Sequence, residues 1–351
     1  MDKTQAIIVL EEQNGAAIRD VPVPKLRDDC VLVEVKAIGL SPTDWKHIDF
    51  GAADAGSRIG CDYAGLVHDV GKKVSRFRKG DRIAGAVHGG DRTNHDNGAF
   101  AHYIVAKADV AIHVPNNISD VEAATLGVSL ITIGQSLYKT LKLPLPTMPA
   151  LEPFPLLVHA GSTSTALLGI QFAKASGLTV VATASPYNFD HVRMAGADAV
   201  FDYKSPTCSE DIKRYTENTL CYAWDCMGTG IELCANALSD AEPSIYTTLN
   251  PVEGSPLKRI NTRVNGPYFT LAYDAFGEEY VWMEETVPRK PDEIEFAANF
   301  LLVASSLLAE GVVVPVKPVV NSTGEGLEGA LVGLDELRAG NVSGSKLVYT
   351  L

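Results

Sequence analysis

The chain has 351 residues, 46% hydrophobic and 21% charged, and its 30 Lys and Arg against 43 Asp and Glu give a formal net charge of −13. That length exceeds one compact core and implies two domains, while the acidity argues against a nucleic-acid partner, the densest basic group (Arg76, Arg78, Lys79) reading as a solvated turn. The apolar run 296–309 is broken by Asn299, Ser305 and Ser306 and is too short for a bilayer, and Met1-Asp2-Lys3-Thr4 opens with charges rather than a signal-peptide core, so a cytoplasmic protein without membrane partners is expected.

A strand pattern begins at Ala6–Leu10, and Cys30–Leu40 alternates apolar and polar positions as a half-buried strand does. YAGLVHDVG (63–71), GDRIAGAV (80–87) and AFAHYIVA (99–106) add short strands between Gly-Lys, Gly-Asp and Asn-Gly turns. Together they predict a small barrel or sandwich. The texture changes near Asp120, where Ser119 and Glu122 form the capping-box pattern of a helix, and a further helical stretch reaches Leu143. After a proline-rich connector (143–155) come strand Leu156–His159, helix Thr165–Ser176, strand Thr179–Thr183 and helix Asn188–Ala195. Strand Ala199–Asp202, helix Ser209–Asn218, strand Tyr222–Asp225, helix Gly230–Ser239 and strand Ser244–Leu249 continue the alternation, which predicts a parallel sheet with right-handed crossovers. Helices at Asp292–Glu310 and Gly326–Ala339 and a strand at Lys346–Thr350 form a tail that returns to the first domain. The expected fold is therefore α/β, with a β-rich domain at 1–118 completed by 276–351 and a domain of alternating strands and helices at 119–275. Six cysteines (30, 61, 208, 221, 226, 234) never form a C-x-x-C pair and read as reduced thiols.

The turn after the strand Leu156–His159 has one glycine, Gly161, where a dinucleotide fingerprint has three. A pyrophosphate needs backbone N–H groups at a helix start and a close backbone approach. Ser162, Thr163, Ser164 and Thr165 supply small hydroxyl donors, and Ala166 fills the place of the last glycine. An N-capped helix without a ligand is the alternative. The next strand ends in Ala184-Ser185 without the acid that binds the ribose 2′-OH in NAD sites. Ser185, Pro186, Tyr187 and Asn188 instead form a neutral turn, and Tyr203 closes the third strand. This arrangement predicts NADPH rather than NADH.

LSPTDWK (40–46), GCDYAGLVHDVG (60–71), KGDRIAG (79–85), GAFAHYIV (98–105), QFAKASG (171–177) and GSKLV (344–348) resemble the medium-chain dehydrogenase/reductase superfamily over nearly the whole chain. GSTSTA, ASPYNFD, LKLPLP and VFDY are most similar to the stand-alone, trans-acting enoyl reductases of fungal polyketide pathways. The resemblance implies a GroES-like barrel beside a Rossmann doubly wound sheet. It implies reduction of the α,β-double bond of a carrier-tethered enoyl thioester, with a polyketide synthase or its acyl carrier domain as partner. A zinc-free quinone oxidoreductase and a non-catalytic NADPH-binding protein are the alternatives.

The resemblance also implies site residues. Ser41, Pro42, Thr43 and Asp44 bind the cofactor, Asp44 and Lys46 facing the nicotinamide; Leu249 and Asn250 meet its carboxamide, and Ser343 and Gly344 approach the cofactor before the last strand. Lys46 is electrostatic support or proton source, or else a surface salt bridge. Tyr63 is a hydroxyl donor or a packed tyrosine, and Thr132 a substrate contact or a capping hydroxyl. The channel walls are expected at Gly127, Val128, Ser129, Leu130, Ile131, Thr132, Ile133 and Gly134 and at Phe269, Thr270, Leu271, Ala272 and Tyr273. Zinc relatives carry a Cys in the first loop and a His in a G-H-E motif. Here Ser41 and Cys61 stand in those neighbourhoods, so no metal is expected. Pro267 and the acidic, aromatic segment after it predict a monomer or weak dimer, since both discourage pairing at the sheet edge.

Overall fold

The computed structural model describes residues 2–11 and 15–351; Met1, part of the N-terminal reading above, lies outside them. The chain divides into two units, one of Met1–Ile131, Tyr273–Ala309 and Pro315–Leu351, the other of Thr132–Ala272 and Glu310–Val314. Relative to the expected boundaries, 119–131 and 273–275 fall with the first unit and 310–314 with the second.

The first unit begins with β1 (Lys3–Val9), β2 (Ala16–Pro22), β3 (Cys30–Gly39), α1 (Pro42–Asp49), β4 (Asp62–Val70), β5 (Arg82–Ala86), β6 (Tyr103–Lys107) and β7 (Ala111–His113). β3 buries alternate side chains along most of its length, as its sequence predicts. The β2 strand has no counterpart in the sequence reading; it forms by antiparallel pairing with β1, from Lys3 opposite Pro22 to Val9 opposite Ala16. Two short helices follow, α2 (Asp120–Ala123), capped by Ser119, and α3 (Gly127–Ile133). The further helical stretch expected to reach Leu143 is α3 with its continuation, Gly134–Thr140, which is π-helix. Single π turns inside helices occur often at functional sites.

In the second unit, β8 (Pro155–His159), β9 (Thr179–Ala184), β10 (Ala199–Asp202), β11 (Tyr222–Asp225), β12 (Ser244–Thr248) and β13 (Val264–Phe269) form one sheet. Its order is β10-β9-β8-β11-β12-β13, and every pairing is parallel. This is the 3-2-1-4-5-6 order of the dinucleotide-binding fold, in which ligands bind beyond the carboxyl ends of the strands where the order reverses, here between β8 and β11. Helices α4 (Ser164–Ala175), α5 (Phe189–Met194), α6 (Cys208–Tyr215), α7 (Ile231–Ala237) and α8 (Ser255–Ile260) alternate with the strands. Leu157, Val181, Ala223, Cys234, Tyr246 and Val264 belong to a core of this unit. Pro267 lies in β13, where the pairing with β12 shifts register between Ile245 and Thr247, because proline has no N–H to give the ladder.

The returning chain adds β14 (Tyr280–Trp282), β15 (Glu285–Val287), α9 (Pro291–Ala309), β16 (Pro318–Val320), α10 (Gly326–Arg338) and β17 (Lys346–Thr350) to the first unit. Its main sheet has the order β16-β17-β3-β4-β5-β7, with β6 also paired to β3. Val33, Ile38, Ile59, Phe100 and Tyr349 lie in its buried core. The acidic, aromatic segment after Pro267 forms the hairpin β14–β15, which pairs with itself. Among the described residues, no helix is long and apolar enough to cross a membrane.

Candidate functional site

In the second unit, β8 delivers His159, Ala160 and Gly161 to the start of α4. Ala160 holds a positive φ of 58°, unusual for a residue with a Cβ. The turn is fixed by Gly161 N–H donating to the Thr183 carbonyl at 2.8 Å and Ala160 N–H to Thr183 Oγ1 at 3.2 Å. A Cβ on Gly161 would stand 3.0 Å from Ala182 Cβ, so the glycine is what lets the loop lie against β9. Thr163 caps α4, accepting from Ala166 N–H at 3.3 Å, and no acidic residue occupies the first turn. Ser162, Ser164 and Thr165 complete a hydroxyl-lined helix start suited to a phosphate group.

β9 ends at Ala184, and Ser185 leads into the 3₁₀ turn Pro186–Asn188. Ser185 and Asn188 are buried, whereas the Tyr187 ring is 78% exposed. Ser185 Oγ donates to the Tyr203 hydroxyl at 3.4 Å, which brings the ends of β9 and β10 together. Lys204, missed in the sequence reading, places its ammonium 5.7 Å from the Tyr203 ring centroid. It has no carboxylate within ion-pairing distance among the described residues. Its place directly after Tyr203 in the sequence is the signal that could have found it.

At the switch point, Asp225 is fully buried. It accepts from the N–H groups of Met227, Gly228 and Gly230 at 2.9, 2.8 and 2.7 Å and from Tyr246 OH at 2.8 Å. That carboxylate builds the loop after β11, against which Asn250 donates to the Met227 carbonyl at 2.9 Å. Leu249 N–H donates to the Asp225 carbonyl at 3.1 Å. In the same unit the two residues that follow the first predicted wall bond to the second. Ser136 Oγ donates to Thr270 Oγ1 at 3.2 Å, and Gln135 to the Leu271 carbonyl at 3.4 Å. Thr132 is 8% exposed and Phe269 37% exposed.

In the first unit, a second polar constellation gathers around α1. Ser41 N–H donates to Asp44 Oδ2 at 2.6 Å, and Ser41 Oγ to Asp62 Oδ2 at 2.9 Å. Lys346 Nζ reaches the same Asp62 oxygen at 2.5 Å, and Val128 N–H donates to Asp62 Oδ1 at 2.6 Å. Asp44, Asp62 and Lys346 are all buried. Burial, with the neighbouring Asp62 charge, raises the Asp44 pKa to about 7, against the lowering influence of the Ser41 amide and Lys346. The Cys61 thiol faces Asp44, and burial beside the two carboxyl groups pushes it up, so it stays protonated.

Tyr273, the last residue of the second predicted wall, belongs to this network. Its hydroxyl lies 2.9 Å from Thr43 Oγ1, 3.3 Å from His47 Nε2 and 3.9 Å from Cys61 Sγ. His47 Nδ1 lies 2.7 Å from the Thr43 carbonyl. A carbonyl only accepts, so Nδ1 carries the proton and Nε2 accepts from Tyr273. The His88 ring stacks on Tyr273 with centroids 3.7 Å apart, and burial lowers the pKa of His88 to about 3. His47, His88, Asp62 and Lys346 were absent from the sequence candidates; only the GCD and GSKLV motifs hinted at the last two.

Other predicted residues lie elsewhere. Tyr63, expected as a possible donor, is fully buried in the barrel core, where its hydroxyl has no hydrogen-bond partner among the described residues. That is the packed-tyrosine alternative. Lys46 is half-buried on α1 with its ammonium 5.9 Å from the Trp45 ring centroid, and burial lowers its pKa. Gly127 packs so closely that a Cβ would stand 2.2 Å from the Gly85 carbonyl oxygen and 2.6 Å from Asp62 Oδ1. The Ser129, Leu130 and Ile131 side chains are buried. Ser343 and Gly344 form the turn before β17, with Gly344 at φ 65°. Among the described residues no group of three or more His, Cys, Asp or Glu side chains is placed to hold a metal ion.

Residues 27–116 match the alcohol dehydrogenase GroES-like domain. The chain is 38% identical over 351 residues to the trans-enoyl reductase ACTTS2 of Alternaria alternata, with 99% of each chain covered. It is 39% identical over 365 residues to the trans-enoyl reductase resD of Aspergillus sclerotiorum, covering 98% of this chain and 99% of that one. An alcohol dehydrogenase superfamily protein from Novosphingobium aromaticivorans superposes with a TM-score of 0.80 at 19% identity, 99% of each chain being covered, which speaks for the fold. With a GroES-like barrel, a 3-2-1-4-5-6 nucleotide sheet and these full-length relatives, the chain belongs to the trans-enoyl reductases of the medium-chain dehydrogenase/reductase superfamily.

Proposed function

We propose that this protein is an NADPH-dependent enoyl reductase that acts in trans on a polyketide enoyl thioester held by the carrier domain of a partner synthase. The observation that carries the cofactor half is the acid-free end of β9, where Ser185 meets Tyr203 and accepts from Asn188 N–H through its carbonyl. A carboxylate there would repel a 2′-phosphate, whereas neutral donors with Lys204 nearby favour it. Gly161 to Thr165 fit the pyrophosphate, because their N–H groups and hydroxyls open α4 and no acidic side chain opposes an anion there. Leu249 and Asn250 suit the carboxamide, with Thr43, Asp44, Ser343 and Gly344 as the further contacts.

When bound, NADPH supplies the hydride for the substrate β-carbon. The chain's own residues must then steady the negative charge that spreads onto the thioester oxygen and see a proton delivered to the α-carbon. Thr132 is assigned to orient the carbonyl and Lys46 to supply the cationic support or the proton. Its lowered pKa suits a lysine asked to give one up. Tyr63 has no part in this scheme. The mostly apolar stretches 127–134 and 268–273 fit a reduced acyl chain. Pro267 in the edge strand supports a monomer or weak dimer.

The test is NADPH oxidation with a crotonyl thioester, with a carrier-bound enoyl thioester and with a simple quinone. Turnover fastest on the carrier-bound substrate is expected; a quinone far faster than any enoyl thioester overturns the reading. Thr132→Ala and Lys46→Ala should lower kcat while leaving the NADPH Kd unchanged.

A further inference from the structure

We propose that Asp62, held by Lys346, is the positioning residue that locks three site loops of the barrel unit into one register. Asp62 is fully buried and Lys346 is 3% exposed, so neither serves as a surface ion pair. One Asp62 oxygen binds Ser41 Oγ at 2.9 Å and Lys346 Nζ at 2.5 Å, and the other binds Val128 N–H at 2.6 Å. Ser41 opens α1 and the loop of Thr43, Asp44 and Lys46. Val128 stands at the start of α3, whose residues form one of the proposed channel walls. Lys346 begins β17 directly after the Ser343–Gly344 turn. One carboxylate therefore ties together segments separated by 21, 66 and 284 positions in the chain.

Two glycines are cut to fit this junction. A Cβ on Gly127 would meet Asp62 Oδ1 at 2.6 Å, and one on Gly39 would meet the Ala124 carbonyl oxygen at 2.2 Å and Lys346 Cε at 3.0 Å. A well-packed apolar pair commonly matches or exceeds the stability of a buried ion pair. Stability alone therefore does not explain the arrangement. What an apolar pair lacks is a charged acceptor with fixed directions, and the short bonds to Ser41 and Val128 use those directions. A loop displaced by about 1 Å can cost a hundredfold in turnover, which gives the junction its consequence. The kinetic part of this inference rests on the enoyl reductase reading above.

The experiment compares Asp62→Asn, Lys346→Met and the double variant D62N/K346M with the parent. It uses hydrogen-exchange mass spectrometry of segments 39–50 and 124–132, thermal stability, and kcat on a crotonyl thioester. Each single variant leaves a charge or donor without its partner, so loss of stability is expected. In the double variant stability should return. Exchange in both segments should remain about tenfold faster and kcat about tenfold lower, the size of one lost charge-assisted bond. Ser41→Ala, which cuts one arm only, should speed exchange in 39–50 and leave 124–132 unchanged. Parental exchange and turnover in the double variant overturn the proposal, as does acceleration spread evenly over the barrel. If the double variant does not fold, Ser41→Ala decides alone, and unchanged exchange in 39–50 refutes the junction. A parent inactive on enoyl thioesters defeats the functional reading, while the exchange pattern still judges Asp62 because it needs no substrate.

Discussion

The two units hold their candidate site residues in opposite ways. In the nucleotide unit the groups are neighbours in sequence: Gly161 to Thr165 on one turn, Ser185 to Asn188 on another, and the Asp225 loop closed by amides two to five residues on. Backbone N–H groups and small hydroxyls do most of the holding. In the barrel unit the site is a buried side-chain network whose members are far apart in the chain, such as Thr43 with Tyr273 and Asp62 with Lys346, 230 and 284 positions apart. A change in the first kind of site should be local and specific to one part of the cofactor. A change in the second should propagate, since buried polar networks lose more than one bond at a time.

The strongest test of that contrast is Gly127→Ala. Its methyl group has only backbone and the Asp62 carboxylate to displace, so a loss of about 3 kcal/mol or more in denaturant unfolding is expected. An unaltered midpoint would mean that the barrel junction is soft rather than tightly packed.

Next in size is the pH dependence set by Asp44. Its pKa rises from 3.8 to about 7 on folding, so the folded state holds a proton that the unfolded state has released. Stability from this group is therefore greatest at low pH and falls as pH rises from about 4 through about 7. Asp44→Asn mimics the protonated form and keeps an acceptor for Ser41 N–H. The variant should gain on the parent as pH rises across that window, by on the order of 3 kcal/mol above pH 7. Parallel stability curves for the two proteins would show that Asp44 folds ionised.

Changes in the nucleotide unit should be smaller and selective. Ser185→Asp puts a carboxylate beside the proposed 2′-phosphate and should weaken NADPH by roughly tenfold to a hundredfold while sparing NADH. Fluorescence titration of both cofactors reads this directly, and equal losses would remove Ser185 from the site. The smallest effect is assigned to Lys204, whose exposed ammonium is screened by solvent. Lys204→Ala should weaken NADPH by about threefold, less at high salt, with NADH unaffected. A salt-independent loss would point to packing on Tyr203 instead of charge.

The sequence by itself determined the strand and helix alternation of the nucleotide unit, because apolar period and turn residues act over a few positions. It also determined the hydroxyl-rich turn before α4 and the acid-free end of β9, since both lie within single turns. The barrel's β3 was legible for the same reason, its alternation being a local property. Only the tertiary structure decided the rest. β2 exists through its pairing with β1, and the π-helical segment Gly134–Thr140 departs from the continuous helix that its apolar pattern suggests. The meeting of Asp62 with Lys346, Ser41 and Val128, and of Tyr273 with Thr43 and His47, joins residues 21 to 284 positions apart in the chain. No local pattern records such contacts, because they form only where the folded chain buries charged and polar groups beside partners that offset the cost of leaving water. Tyr63 shows the converse: beside the GCD motif it reads as a site residue, yet the inward face of β4 places its ring in the core, where the pleat of the strand rather than its neighbours in sequence sets its surroundings.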